Sequence, residues 1–453
     1  MDAVNPATGE RIDTYEEHTG DDADAALDRA TEAFEEWRER PLREREELLA
    51  SAAEVLRENE ERYAEIMTRE MGKPITQARS EVEKCAWVCD HYAENASAYL
   101  NPEPHPSPPG SDVETVYDPL GPVLAVMPWN FPFWQVFRFA APYLTAGNVG
   151  LLKHASNVPG CAMAIEEVFR EAGYPDDVFQ SLLLPSDLID DMLADERLRA
   201  ATLTGSGPAG RAVASTAGKN LKKTVLELGG SDPFVVLDDA DVEAAAETGA
   251  WARNLNGGQS CIAAKRFVVH TDVYDEFLDS FVEEVESLTV GDPMDEDTEV
   301  GPQAKADLME EFHEQVEASV EAGAEVLTGG EPLDREGAYY PPTVLTNVPE
   351  GYPADSEELF GPAAAVFEVD DEEQAVEKAN DTQFGLGASV WTEDRERGQR
   401  VARRIDAGCV YVNQLVKSDP RVPFGGIKES GYGRELSGVG IREFVNRKTV
   451  WVE

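Results

Sequence analysis

The chain has 453 residues, more than one ordinary hydrophobic core requires, so we expect two or three domains. Its 89 acidic and 39 basic residues give a formal net charge of −50. This charge excludes a general binder of nucleic acids or of anionic membranes, because both are polyanions. Disorder is the other interpretation of such acidity, but the 42% of hydrophobic residues and the long periodic segments argue against it.

We interpret the acidity as adaptation to a cytoplasm at very high salt, where charge repulsion is screened within about 3 Å at 1 M.

The first ten residues lack a basic and apolar signal, and no run of about 18 apolar residues predicts a membrane span. Five sparse cysteines suit a reducing compartment. Cys85 and Cys89 lie one helical turn apart, but no second Cys or His cluster accompanies them, so we expect small buried side chains and no metal site. We therefore expect a cytoplasmic protein.

The first third of the chain is predicted to be mainly helical. A turn at residues 5–9 precedes segments with helical spacing of apolar residues, at 21–37, 42–71 and 75–99. Residues 101–110 contain five prolines and are expected to form an irregular connection between domains. Alternation then predicts strands at 113–117 and, buried, at 122–127.

From residue 149 onward, strands and helices alternate. The first series has strands at 149–153, 178–184, 200–204 and 224–228 and helices at 158–172, 187–195 and 208–217. The second has strands at 234–237, 266–270 and 325–328 and helices at 242–254, 273–286 and 304–322. This rhythm predicts an α/β fold with parallel sheets covered on both faces.

Two short motifs carry the chemistry. The strand at 224–228 carries Glu227 near its end and runs into a Gly-Gly turn, which leaves a carboxylate at a strand end. Cys261 follows an Asn-Gly-Gly-Gln loop, whose small residues allow close approach of a substrate. A thiol and a carboxylate, each at the end of an element where a substrate can reach it, suit covalent catalysis with a base that activates water. The alternative for Cys261 is an inert buried cysteine.

A second interpretation of Glu227 comes from Gly205-Ser-Gly207-Pro-Ala-Gly210, a GxGxxG sequence that follows a strand. An acidic residue about 20 positions further on is expected to bind a ribose, and Glu227 lies near that offset. A lone GxGxxG is a weak signal, so both interpretations of Glu227 stay open on the residues alone.

Glu-Leu-Gly-Gly at 227–230, followed by Gly-Gln-x-Cys at 258–261, resembles the aldehyde dehydrogenase superfamily, and the likeness extends from residue 5 to residue 435. The resemblance implies a Rossmann-like dinucleotide-binding domain (1–101 and 122–229) and an α/β catalytic domain (230–440). It also implies a small β-ribbon oligomerisation element (102–121 and 441–453), and hence a homodimer or homotetramer.

The resemblance implies catalytic roles for three residues. Cys261 would be the nucleophile and Glu227 the base that activates water. Asn130, in Pro-Trp-Asn-Phe-Pro, would donate to the oxyanion together with the Cys261 N–H. The alternative for Asn130 is a helix N-cap ahead of Pro132. Glu435 matches a family carboxylate near the water and proton path.

The resemblance also implies a cofactor site for NAD or NADP. Gly205 and Ser206 begin a helix that would hold the pyrophosphate. The other residues implied in cofactor binding are Trp129, Lys153, Ser156, Glu358 and Phe360. Many NAD-selective relatives carry Glu where this chain has Ser156, and serine permits the 2′-phosphate of NADP without demanding it, so the preference stays open.

In its substrate region the chain resembles bacterial NAD(P)-dependent succinate-semialdehyde dehydrogenases. Arg138 matches a carboxylate-binding arginine and Ser418 a second substrate contact, whereas Leu255 stands where some members carry a further arginine. The implied reaction is oxidation of succinate semialdehyde, or of another small aldehyde, through a cysteine thiohemiacetal and thioester. A CoA-acylating or acyl-phosphate-reducing relative, or a catalytically silent binding protein, are the alternatives. The presence of Glu227 argues against a CoA-acylating or acyl-phosphate-reducing enzyme. The joint presence of Cys261, Glu227 and Asn130 argues against a silent binding protein.

Overall fold

The computed structural model describes residues 1–453. Fifteen α-helices form: α1 (Gly20–Trp37), α2 (Leu42–Glu58), α3 (Glu60–Met71), α4 (Ile75–Leu100), α5 (Trp134–Thr145), α6 (Pro159–Glu171), α7 (Ile189–Ala194), α8 (Gly207–Lys219), α9 (Val242–Asn254), α10 (Thr271–Ser287), α11 (Ala306–Glu321), α12 (Pro353–Ser356), α13 (Glu372–Asn380), α14 (Arg395–Ala402) and α15 (Ser437–Gly440). None is long and apolar enough to cross a membrane.

Eighteen strands form four sheets. They are β1 (Asp2–Val4), β2 (Arg11–Thr14), β3 (Glu103–Pro104), β4 (Asp112–Pro119), β5 (Pro122–Met127), β6 (Val149–His154), β7 (Phe179–Ser181), β8 (Ala200–Thr204), β9 (Lys223–Glu227), β10 (Asp232–Val236), β11 (Ala264–His270), β12 (Glu325–Thr328), β13 (Thr343–Thr346), β14 (Ala363–Val369), β15 (Gly387–Trp391), β16 (Cys409–Val412), β17 (Gly431–Tyr432) and β18 (Val445–Val452).

The first large sheet has the order β17-β9-β8-β5-β6-β7, and all its neighbours are parallel except β17. From β5 the chain builds outward through β6 and β7, then crosses back to β8 and β9 on the other side. The strand order therefore reverses between β5 and β8. In a doubly wound sheet, the crevice beyond the carboxyl ends of these two strands is where ligands bind.

The second large sheet has the order β12-β13-β14-β11-β10-β15-β16, with only β12 antiparallel. Strand β10, next to the central strand β11, follows directly after the turn that ends β9, so the two sheets are joined beside Glu227. Phe234 of β10 packs between Phe267 and Trp391 in the apolar core of this sheet. With its parallel sheets and covering helices, the structure confirms the predicted α/β class.

A third sheet pairs the end of the chain with its middle. Strand β18 runs antiparallel to β4 along its whole length, and the short β3 pairs with the other edge of β4. Near the end of β18 the side chain of Trp451 is 54% exposed. The Pro-rich segment was predicted to be irregular throughout, and this is wrong at Glu103–Pro104, where proline is tolerated because β3 is an edge strand.

Other differences from the sequence predictions concern element ends. The single helix predicted at 42–71 is two helices separated at Asn59, whose side-chain amide donates to the carbonyl of Val55 (3.0 Å) and so competes with the helical backbone pattern. Only three residues of the predicted strand 178–184 pair with β6, and the predicted helix 187–195 is a 3₁₀ turn followed by the short α7.

The helix after the Pro-Trp-Asn-Phe-Pro motif begins at Trp134, whereas an N-cap at Asn130 would start it at residue 131. Its first free N–H groups, on Phe133 and Trp134, both donate to the buried carboxylate of Glu81 on α4 (2.9 Å each). Asn130 is therefore not the N-cap of α5, and that alternative for Asn130 is excluded.

Candidate active site

Three strand ends of the first large sheet converge at the switch between β5 and β8. Trp129 and Asn130 follow β5, Gly205 and Ser206 follow β8, and Glu227 is the last residue of β9. These residues come from separate parts of the sequence, yet parallel strands bring their carboxyl ends to one edge. All five line a single cavity of about 280 Å³, called here the Glu227 cavity.

Cys261 reaches this cavity from the second large sheet. It follows α9 through a turn in which Asn256 (φ 58°) and Gly257 (φ 62°) are both left-handed. After the turn, Lys265 of β11 donates to the carbonyl oxygens of Ser260 (2.8 Å) and Cys261 (2.9 Å). The loop that carries the thiol is thus held by a lysine inside the fold.

The Gly-Gly pair after β9 is required by this close approach. A Cβ at Gly229 would lie 2.2 Å from the Glu358 carboxylate, and one at Gly230 would lie 2.6 Å from the Cys261 carbonyl oxygen. Gly230 also donates its N–H to Glu358 (2.9 Å). The backbone between Glu227 and β10 therefore has to be free of side chains for the thiol loop to pack against it.

A second, smaller cavity of about 90 Å³ also borders the thiol, and we call it the Arg138 cavity. The polar or charged residues that line it are Lys84, Gln135, Arg138, Ser260, Cys261, Lys417 and Ser418. Cys261 and Gln135 line both cavities. The thiol therefore borders two differently lined spaces.

The carboxyl group of Glu227 is buried, and neither of its oxygens has a hydrogen-bond partner in the protein. Burial raises its pKa well above the ordinary value, and the nearby carboxyl of Glu435 raises it further, whereas Arg138 opposes the shift. A raised pKa makes the carboxylate of Glu227 a stronger proton acceptor than an exposed carboxylate, which suits a general base.

Glu435 is fully buried and forms an ion pair with Arg138. Burial raises its pKa, and the Arg138 guanidinium opposes that shift. The face of the Phe424 ring lies 4.8 Å from the guanidinium carbon of Arg138. The charge of Arg138 is thus compensated inside the protein, although its side chain lines the Arg138 cavity.

Burial raises the pKa of the Cys261 thiol to about 12, and the positive charges of Arg138 and Lys265 oppose this rise. In the ligand-free site the thiol is therefore protonated at neutral pH. A nucleophilic Cys261 needs a nearby group that accepts its proton.

The Asn130 side chain is buried, and its amide donates to the carbonyl of Gln259 (2.9 Å), two residues before Cys261. The Asn256 amide in turn donates to the Asn130 carbonyl oxygen (2.8 Å). These two hydrogen bonds tie the loop after β5 to the thiol loop.

The remaining predicted cofactor residues lie in two places. Glu358 and Phe360 line the Glu227 cavity, where the Phe360 ring packs edge-on against Trp129 at 5.7 Å between centroids. Lys153 is buried in β6 with its pKa lowered by burial, and Ser156 is exposed just beyond that strand. Neither Lys153 nor Ser156 lines the Glu227 cavity.

Sequence reasoning missed Lys84 and Lys265, which both lie close to the thiol loop. Lys265 is four residues after Cys261, a spacing that could have drawn attention to it. Lys84 has no such signal, because it comes from helix α4 in another part of the chain.

Comparison with known proteins gives consistent results. The model of the aldehyde dehydrogenase family matches residues 1–450. The chain is 52% identical to a probable succinate-semialdehyde dehydrogenase [NADP(+)] of Synechocystis sp. over 449 residues, 99% of each chain. It is 50% identical to succinate-semialdehyde dehydrogenase [NADP(+)] 1 of Mycobacterium tuberculosis over 451 residues, again 99% of each.

Solved structures match over the whole chain. Succinic semialdehyde dehydrogenase from Streptococcus pyogenes, in complex with NADP+ as the cofactor, has a TM-score of 0.97 at 38% identity and covers 100% of this chain and 99% of its own. An NAD-dependent aldehyde dehydrogenase from Sinorhizobium meliloti also has a TM-score of 0.97, at 34% identity, with 100% and 91% covered.

Proposed function

This chain belongs to the aldehyde dehydrogenase family, and we propose that it oxidises succinate semialdehyde to succinate with NADP as the preferred cofactor. The observation that carries the proposal is that Cys261 lines both the Glu227 cavity and the Arg138 cavity. A thiol that attacks an aldehyde needs the substrate on one side and a hydride acceptor on the other. The relatives at about half identity, which are named for this substrate and for NADP, support the same assignment.

The residues around the Glu227 cavity fit a dinucleotide. Helix α8 begins at the switch point, and its N-cap residue Ser206 makes no side-chain cap, so N–H groups in its first turn are free for a pyrophosphate. Lys153 has no carboxylate within ion-pair distance, and Ser156 beyond it is exposed and uncharged. A free cation without a nearby carboxylate suits the additional phosphate of NADP, which supports NADP over NAD.

We assign the first chemical step to Cys261: its thiol proton would pass to a water molecule as Sγ adds to the aldehyde carbon. The Asn130 amide and the Cys261 N–H donate to the oxygen that becomes negative, which stabilises the transition state by about 3 kcal/mol per donor in other enzymes. Asn130 would exchange its present bond to Gln259 for this one. When bound, the oxidised nicotinamide supplies the acceptor for the hydride that this carbon loses, which leaves a thioester on Cys261.

The second step is hydrolysis of the thioester, and we assign its base to Glu227. The carboxylate takes a proton from water as the water attacks the thioester carbon, and the Cys261 sulfur leaves as the carboxylic acid forms. The unpaired oxygens and raised pKa of Glu227 support this role. Glu435 would adjust the proton affinity of Glu227 through its charge and its ion pair with Arg138.

On the substrate side, Arg138 and Ser418 would contribute hydrogen-bond donors to the distal carboxylate. The cavity they line is small, which suits a short aldehyde. The exposed β18 ribbon supports a homo-oligomer formed through this element, and the acidic surface supports a cytoplasm of high salt as the working environment.

The test is a panel of succinate semialdehyde and butyraldehyde, each with NAD and with NADP, assayed in molar KCl by the absorbance of the reduced cofactor. We expect the highest kcat/KM for succinate semialdehyde with NADP, and no turnover in the Cys261→Ala control. Equal kcat/KM for the two aldehydes would contradict the substrate, and equal kcat/KM for the two cofactors would contradict the cofactor preference.

A further inference from the structure

Two lysines line the Arg138 cavity, and Lys84 is the one whose ammonium contacts other side chains of that cavity. Its ammonium, on helix α4, donates to the Ser418 hydroxyl at 2.9 Å and lies 4.3 Å from the centre of the Trp134 ring. Lys84, Ser418 and Trp134 line the same cavity as Cys261. The ammonium is therefore held in place from two sides while it faces the space beside the thiol.

The charge of Lys84 is not compensated by a carboxylate. No acidic oxygen lies within 4.0 Å of it, although α4 also carries Glu81 and Glu83. Glu81 pairs with Lys73 and caps the start of α5, and Glu83 pairs with Arg57. Both neighbouring carboxylates are thus committed to other cations.

This differs from the state of Arg138, whose guanidinium pairs with the buried Glu435. The charge of Arg138 is thus offset in part by a carboxylate beside it, whereas that of Lys84 is not. Among the lining residues Lys84, Arg138 and Lys417 are cationic, and none is acidic. In a chain with a net charge of −50, a cavity without any carboxylate marks a site built for an anionic group.

We propose that Lys84 supplies the net positive charge that selects an aldehyde carrying a distal carboxylate, with Ser418 positioned by it as a second donor to the same carboxylate. An ammonium has three N–H donors, of which one is used by Ser418. A charge-assisted hydrogen bond from another donor to the substrate carboxylate is stronger than a neutral one. The inference rests on the proposed function, since it names the residue that recognises the carboxylate of that substrate.

The proposal makes substrate recognition depend on pH. Burial lowers the pKa of Lys84 to about 8, and the positive charges of Arg138 on α5 and of Lys73 lower it too. Cys85 and Glu81, on the same helix as Lys84, raise this pKa and so oppose the shift. The free enzyme therefore loses the charge of Lys84 as the pH rises through about 8. KM for succinate semialdehyde should rise there, whereas KM for an uncharged aldehyde should not.

The experiment compares kcat/KM for succinate semialdehyde and for butyraldehyde in the full-length protein with NADP. In Lys84→Met, the ratio of the two values should fall at least tenfold, which is about 1.4 kcal/mol. The matched control is Lys417→Met, which removes an exposed lysine from the rim of the same cavity and should change the ratio less than threefold. Lys84→Gln, which can still bond to Ser418, replaces Lys84→Met if the latter does not fold.

Lys84→Arg is the conservative variant. It should keep the preference for succinate semialdehyde and keep it up to pH 9.5, because guanidinium does not lose its proton in that range. Wild-type enzyme should lose part of its preference between pH 7 and pH 9.5. A structural role of Lys84 would change kcat/KM for both aldehydes alike and would not produce this difference between Arg and Met.

The outcomes separate the two proposals. Wild-type enzyme without a preference for succinate semialdehyde overturns the proposed function, and this inference with it. If the wild-type preference survives in Lys84→Met, the role of Lys84 is overturned and the proposed function stands. The same holds if Lys417→Met loses as much of the preference as Lys84→Met does. In that second case the general potential of the cavity, and not one positioned ammonium, recognises the carboxylate.

Discussion

Glu227→Gln separates the two steps of the proposed reaction. Formation of the thioester needs Cys261 but not the base that activates water, so the variant should release one equivalent of NADPH per active site in a burst. Turnover after the burst should be slower by about 10²- to 10⁴-fold, the usual contribution of a general base. In wild-type enzyme, by contrast, the thioester is hydrolysed and turnover continues.

The structure also predicts the effect of this substitution on stability. Neither oxygen of Glu227 has a hydrogen-bond partner, so glutamine of the same shape breaks no contact. Because the folded-state pKa of Glu227 is raised, the folded protein keeps a proton that the unfolded chain releases above pH of about 4.3. The free energy of unfolding therefore falls by about 1.4 kcal/mol per pH unit from there up to the raised pKa. Glutamine lacks this cost, so the variant should be at least as stable as wild type at pH 7.

The burst is measured by rapid mixing of enzyme, NADP and succinate semialdehyde in molar KCl, and stability by thermal melting at pH 5 to 8. The control is Glu393→Gln, which removes one exposed carboxylate and should change neither measurement. Steady-state turnover at the wild-type rate in Glu227→Gln would refute its role as the base. A melting temperature well below that of wild type would refute the structural argument that Glu227 makes no stabilising contact.

Two further predictions test the surface and the cofactor site. Dilution from molar KCl to about 0.1 M lengthens the screening distance from about 3 Å to about 10 Å and restores repulsion among the carboxylates. The melting temperature and the assembly size measured by light scattering should therefore both fall. Unchanged values would contradict the interpretation of the acidic surface. Ser156→Glu should lower kcat/KM for NADP at least tenfold relative to NAD, because a carboxylate repels the 2′-phosphate. The uncharged variant Ser156→Gln should not reproduce that effect. Equal effects of the two variants would show that the size of the side chain, and not its charge, acts at this position.

The sequence by itself determined the fold class and singled out the principal candidate residues of the site. Hydrophobic periodicity predicted alternating strands and helices because buried parallel strands and amphipathic helices have different apolar spacings. Glu227 and Cys261 could be singled out because Gly residues beside each allow a close approach that other residues would block. These are local signals, written within a few residues of the position that they describe.

The tertiary structure alone decided which charges meet. The ion pair of Arg138 with Glu435 and the contact of Lys84 with Ser418 join residues from opposite parts of the chain. No local pattern encodes either pairing, because each depends on how α4, α5 and the C-terminal segment pack around the thiol loop. Whether a lysine or arginine is free to bind a substrate depends on which carboxylate lies beside it, and only the packed fold brings that carboxylate there.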